Sequence, residues 1–145
     1  MIHPTVVSAK AFTLFKTVTP TEVGAKLYDI NRYTTTVHPD HYAKSSQNII
    51  DGLRAKGYKL NVKNFWNDPH NPYQGINIQA ISPTGKRFEL QLHTPTSFHV
   101  KEKYVWPLYE KVRVMPPSPT RDALSKRMFA HSATIPVPAG VSQIG

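Results

Sequence analysis

Apolar and polar positions divide the chain into alternating helical and extended stretches. Thr5 to Lys16 predicts a helix with a broad, ragged apolar face built from Val6, Val7, Ala9, Ala11, Phe12, Leu14 and Phe15. Thr19-Pro20-Thr21-Glu22 has the chemistry of a second helix start: a Thr cap, Pro at the first position and Glu in the first turn. Tyr28 to Val37 is rich in Tyr, Thr and Ile and predicts a strand, broken by His38-Pro39. Asp40 to Lys56 returns to helical spacing (Tyr42, Ile49, Ile50, Leu53) and stops at Gly57. Tyr58 to Trp66 alternates as a strand and runs into the turn-forming Asn67-Asp68-Pro69-His70-Asn71-Pro72. Gly75 to Ser82 and Arg87 to Thr94 are two strands joined at Pro83-Thr84-Gly85 as a hairpin. Thr94-Pro95-Thr96-Ser97 opens a helix that runs toward Val112 with an interruption near Pro107. After the stiff connector Met115 to Pro119, a last helix covers Thr120 to His131, and Ile135-Pro136-Val137-Pro138 is extended.

This alternation predicts an α/β (α+β) chain: a single mixed sheet of about four to five strands flanked by helices. Residues 1–145 are expected to form one domain, with a core over roughly 5–113 and a helix and Pro-rich tail over 114–145. His38-Pro39-Asp40-His41 is expected to start a helix rather than to form half a metal site. His99, Lys101 and Lys103 are expected on a solvated helix face, with Lys111 and Arg113 at the surface. Tyr104 and Tyr109 are expected under the sheet, and Trp66 and Trp106 in the core or a flap.

The hairpin strands carry the candidate chemistry. Strand side chains alternate faces, so Phe88, Leu90 and Leu92 share the face that helices should cover, while Glu89, Gln91 and His93 share the other. Asn77 and Gln79 join that second face from the partner strand. Such a face is either a solvated sheet surface or a hydrogen-bonding floor for a ligand; short amides in place of long charged side chains suit the second. Asp29, followed by Arg32, offers another carboxylate, and two carboxylates together would suit Mg²⁺.

Composition narrows the classes. The formal net charge is +9 over 145 residues, which suits a polyanionic partner: nucleic acid, an anionic membrane surface or a phosphorylated small molecule. The basic excess is spread along the chain, and between Asp68 and Glu102 the one acid is Glu89. With no cysteine, disulfides, thiolate metal sites and Cys nucleophiles are excluded. No apolar run approaches the roughly 18 residues needed to span a bilayer, and the N-terminus lacks a signal-peptide pattern.

The order of segments resembles the synthetase domain of the RelA/SpoT family, the (p)ppGpp or alarmone synthetases. The resemblance rests on Asp29-Ile30-Asn31-Arg32, then Lys63-Asn64, then Tyr73-Gln74-Gly75-Ile76-Asn77, then Glu89-Leu90-Gln91-Leu92-His93-Thr94. Three positions depart from the family's pattern: Gly75 stands for its Ser, Asn77 for its His and His93 for its Arg. With Phe88 to Phe98 and Tyr109-Glu110-Lys111-Val112-Arg113, the variant is similar to a divergent branch found as C-terminal toxin domains of secreted effectors. Members of that branch make adenosine alarmones such as ppApp or pyrophosphorylate tRNA 3′ ends.

The resemblance implies a pyrophosphokinase that moves the β,γ-pyrophosphate of ATP to the 3′-hydroxyl of a purine nucleotide (ADP/ATP or GDP/GTP), with tRNA as an alternative acceptor. By position, Asp29 and Glu89 would hold Mg²⁺ on ATP, and Glu89 would activate the acceptor hydroxyl. Tyr73 would stack on the acceptor base, and Arg32 would lie against the ATP adenine or phosphates. Lys10 and Lys16 would grip ATP phosphates, Lys63 would meet phosphate of donor or acceptor, and Asn77, Gln91 and His93 would complete the floor. The implied setting is a secreted effector acting in the cytoplasm of a target cell, held in check by an immunity protein, with no membrane partner. At 145 residues, a synthetase core is expected here without the hydrolase and regulatory domains of the long alarmone enzymes. A ribonuclease using His and Lys, an ADP-ribosyltransferase using Glu89, and a catalytically silent nucleotide- or RNA-binding module are the competing readings.

Overall fold

A computed structural model describes residues 31–145. The helices expected at Thr5 to Lys16 and from Thr19, and with them Lys10, Lys16 and Asp29, lie outside the described residues. Strand β1 (Asn31–Thr36) is the described part of the extended stretch expected from Tyr28. His38 closes it: its Nδ1 accepts from the Asp40 backbone and starts a 3₁₀ turn, Pro39–His41, that feeds helix α1 (Tyr42–Ala55). This is the helix start read from the sequence, lying just ahead of the helix proper. Helix α1 ends where Gly57 takes φ +86°, a left-handed conformation that a side chain disfavours.

Strand β2 (Lys59–Asn64) ends in a 3₁₀ turn, Phe65–Asn67, whose first turn is capped by the Asn64 side chain. Strands β3 (Ile76–Ile81) and β4 (Arg87–His93) form the expected hairpin, with Gly85 at φ +85° in the turn. The four strands form one sheet in the order β1-β4-β3-β2, with β1 parallel to β4 and the other pairs antiparallel. The sheet is thus mixed, as the alternation of elements predicts.

One face of the sheet is the core. Tyr33, Leu90, Leu92, Ile76, Ile78 and Phe88 are buried there, with Ile49, Ile50 and Leu53 of α1 packed into the same cluster. Burying each such side chain stabilises the fold by roughly 1.5–3 kcal/mol. Tyr42 is fully buried, so its hydroxyl must find a partner; it donates to the Leu92 carbonyl at 2.5 Å and accepts from Trp66 Nε1 at 3.0 Å.

After β4 the chain makes three helical pieces. Helix α2 (Pro95–Val100) opens on a reciprocal cap between Thr94 and Ser97. It passes through a π-helical turn, Lys101–Val105, into helix α3 (Trp106–Val112), and Pro107 sits in the first turn of α3 as the interruption predicted there. Helix α4 (Pro119–Ser132) follows the connector, capped by Ser118. The π turn corrects two expectations. Tyr104 and Tyr109 are not under the sheet but 36% and 44% exposed, and Trp106 is 47% exposed. The wider turn gives the inward positions to Val105, Leu108 and Val112 instead. Tyr104 stacks on His131 of α4 at 4.4 Å, and Trp106 stacks on Tyr109 at 5.4 Å.

The tail continues the fold. Ile135, Pro138, Val141 and Ile144 are buried in steps of three. The backbone carbonyl of Val141 accepts from Asn64 Nδ2 at 2.6 Å, and that of Gly145 accepts from Gln47 of α1 at 3.3 Å.

Candidate functional site

The second face of the sheet is polar, and the strand register sorts it into rows. Arg32, Glu89, Gln79 and Asn61 lie side by side across β1-β4-β3-β2. One step further, Thr34, Gln91, Asn77 and Lys63 form a second row. Paired residues in a sheet project from the same side, so Glu89, Gln91 and Asn77 share one floor. This face is not a solvated sheet surface along its central strand: Glu89 and Gln91 are buried there.

Glu89 is the carboxylate of this floor. Its Oε2 accepts from Arg32 Nε at 3.1 Å, and its side chain is 11% exposed against 63% for Arg32. The partner is therefore Arg32 from the neighbouring strand. A buried carboxylate is stable only when paired, and Arg32 supplies that pairing from the solvent side.

Gln91 is held from above. Its Oε1 accepts from Lys101 Nζ at 3.0 Å, and Thr34 Oγ1 lies 3.5 Å away. Lys101 belongs to the π turn, is 17% exposed and also touches Glu102 at 3.2 Å. The helical spacing placed Lys101 on a solvated face; the structure instead turns it onto the floor. A π turn inserts one residue into the helical repeat and re-aims the side chains around it, a shift that apolar spacing does not reveal. Lys63, opposite Asn77, is exposed. Arg32, Lys101 and Lys63 thus place three cations on the floor that holds Glu89.

Tyr73 comes from the loop before β3. Its backbone N–H donates to Asn71 Oδ1 at 2.9 Å, the Pro72 carbonyl accepts from Ser132 Oγ of α4, and Phe65 N–H donates to the Gly75 carbonyl at 3.0 Å. The Tyr73 hydroxyl donates to Asn77 Oδ1 at 2.6 Å and meets His93 Nε2 at 3.0 Å. Burial, with lesser contributions from Tyr42 and Glu89, pushes the Tyr73 phenol well above the ordinary tyrosine range. The ring packs edge-to-face against Phe65 at 5.1 Å and His93 at 5.2 Å.

His93 corrects an expectation. It was expected among the ligand-facing residues, yet it is fully buried behind Tyr73, its Nδ1 at 2.8 Å from Ser97 Oγ. Burial first, and then the charge of Lys101, lower its pKa to about 3, so the imidazole is neutral.

The donor set bears on a divalent cation. Mg²⁺ is commonly held by one or two carboxylates together with substrate phosphates and water. Among the described residues no cluster of three or more His, Cys, Asp or Glu exists, and Glu89 is the carboxylate of the floor. One buried carboxylate amid cations fits a metal that arrives on a polyphosphate rather than one caged by protein alone.

The architecture was compared with solved structures. The Type VI effector Tas1, solved in complex with its immunity protein, is 19% identical, with a TM-score of 0.50 over 86% of this chain and 75% of that chain. The chain therefore shares the fold of that effector. The small alarmone synthetase 2 from Bacillus subtilis is 14% identical, with a TM-score of 0.49 over 86% of this chain and 70% of that one. The small alarmone synthetase 1 from Bacillus subtilis, bound to its product pppGpp, is 14% identical, with a TM-score of 0.45 over 92% and 71%. No protein-family model matches the chain, and no curated protein does. The β3-β4 hairpin carries the centre of the polar floor and brings the segments Tyr73 to Asn77 and Glu89 to Thr94 together.

Proposed function

We propose that the chain is an ATP-dependent nucleotide pyrophosphokinase, moving the β,γ-pyrophosphate of ATP to the 3′-hydroxyl of a purine nucleotide. The observation that carries this reading is the buried carboxylate of Glu89, set on a polar floor with Arg32, Lys101 and Lys63 in a synthetase-like fold. Pyrophosphoryl transfer asks little covalent chemistry of a protein; it needs an in-line hydroxyl and positive charge where phosphate charge develops. Arg32, Lys101 and Lys63 supply that charge. Glu89 takes the proton of the attacking hydroxyl as the O–P bond to the acceptor forms and the bond to AMP breaks. Tyr73 offers its ring to the acceptor base, a contact worth roughly 1–3 kcal/mol and tolerant of base identity. Glu89, together with Asp29, would hold Mg²⁺, which when bound spreads the charge of the triphosphate. Lys10 and Lys16 would add to the grip on ATP. A role as a secreted effector toxin, matched to an immunity protein, extends the likeness to Tas1.

The test is direct. The purified chain, given Mg²⁺ and ATP with ADP, GDP or tRNA offered in turn, should release AMP and yield a 3′-pyrophosphorylated product by mass spectrometry. Intact ATP with all three acceptors would overturn the reading. Consumption of NAD, or cleavage of RNA without metal, would point to the transferase or ribonuclease alternatives.

A further inference from the structure

Two side chains and one gap meet at the Tyr73 hydroxyl. Asn77 Oδ1 accepts its proton at 2.6 Å, and His93 Nε2 stands 3.0 Å away. With that proton committed to Asn77, the phenol oxygen is left to accept from His93 Nε2–H. On its other side the ring meets Ser97 Oγ, 2.8 Å from Nδ1, and the Gln74 backbone. Ser97 Oγ in turn accepts from the Thr94 backbone N–H at 2.9 Å. The contacts run from Thr94 to Ser97 to His93 to Tyr73 to Asn77, and the Ser97 hydroxyl is itself anchored on the Thr94 carbonyl at 3.2 Å.

The gap is Gly75. A methyl group at that position would lie 2.8 Å from His93 Cε1 and 3.0 Å from the Tyr73 hydroxyl. Real side chains essentially never approach so closely, so the imidazole occupies the space a side chain at 75 would need. Gly75 has no left-handed backbone torsion to explain it. Close approach does.

We propose that His93, walled off from any ligand, is the positioning residue of the floor: it holds the Tyr73 phenol in place, and Gly75 is the space that admits its ring. The proposal deepens the pyrophosphokinase reading, since it takes the Tyr73 ring as part of the acceptor subsite. The imidazole is suited to the task because it stays neutral, with Lys101 the cation nearest in influence and the Phe98 ring 5.9 Å from it. A charged ring would set a second cation against Lys101.

The test has two arms. In thermal unfolding, Gly75→Ala should lower Tm by about 5 °C or more in the wild-type chain and by less than half as much in a His93→Ala background. Equal losses in the two backgrounds would overturn the proposal. In kinetics, Tyr73→Phe and His93→Phe should each raise the acceptor KM about tenfold and leave the KM for ATP unchanged, and the double variant should be no worse than either. Additive effects, or a change in the ATP KM on His93→Phe, would mean that His93 does not act through the Tyr73 hydroxyl. If the wild-type chain makes no pyrophosphorylated product, the functional reading fails while the unfolding arm still decides whether His93 and Gly75 form the lock.

Discussion

Glu89 illustrates how far a single residue can be read before any coordinates are known. Its place opposite the core follows from strand alternation alone, because Phe88 and Leu90 on either side of it are buried in the opposite face. Its ion-pair partner was not legible, since Arg32 and Glu89 are 57 residues apart and meet through the parallel pairing of β1 with β4. Glu89→Gln keeps the shape and removes the proton acceptor. We expect activity to fall by about 10²–10⁴-fold with an unchanged circular dichroism spectrum, and a collapse of the fold would assign Glu89 a structural role. Lys101 is the residue that periodicity missed. Replacing it with Met keeps an unbranched side chain and removes the ammonium that meets Gln91 and the Phe98 ring; the KM for ATP or acceptor should rise by about 10–100-fold. His93 sets a pH dependence. Its pKa is about 3 when folded and 6.5 as the ordinary value, so the folded chain binds fewer protons between these limits. This contribution is absent above 6.5. As pH falls below 6.5 it destabilises the fold by up to about 1.4 kcal/mol per pH unit until about 3. Urea unfolding at pH 7 and pH 5 should show a steeper loss for wild type than for His93→Phe.

At the scale of elements, caps and turns were the easiest features to foresee. His38-Pro39, Gly57, Pro83-Thr84-Gly85 and Thr94-Pro95-Thr96-Ser97 each carry local chemistry that ends or starts a segment, and each does so in the fold. The π turn at Lys101–Val105 was not foreseeable, because an inserted residue leaves no mark in the sequence beyond a slip in apolar spacing. That slip moved both Tyr104 and Tyr109 outward and Lys101 inward. The tail is a third case. Read as an extended Pro-rich end, it is also a structural strap, with Val141 and Ile144 buried and their carbonyls accepting from Asn64. Ile144→Ala should therefore cost about 2–4 kcal/mol in urea unfolding, whereas Val137→Ala, at 64% exposure, should change stability little. Comparable losses at both positions would mean that the strap does not pack as a unit.

For the whole molecule, the charge of +9 gains a location. Three of the cations lie on the floor with Glu89; under the proposed function they form a binding field for polyphosphate, strengthened where the floor is buried and weakened by salt at the rim. Such a field would serve an enzyme and a silent binding module on the same fold alike, and the product tells them apart. Mg²⁺ and ATP at about a hundred times the dissociation constant should stabilise the folded chain by about 2.7 kcal/mol, a Tm rise of roughly 6–12 °C. A module that only binds would show the same rise with ATP intact after incubation. An enzyme would show the rise together with AMP release once an acceptor is added. Glu89→Gln tests where the cation is held. If Glu89 helps hold the metal on the triphosphate, removing Mg²⁺ should reduce the thermal shift in the wild type and change it little in the variant. An equal dependence on Mg²⁺ in both would place the cation on ATP alone and leave Glu89 only its role toward the acceptor hydroxyl.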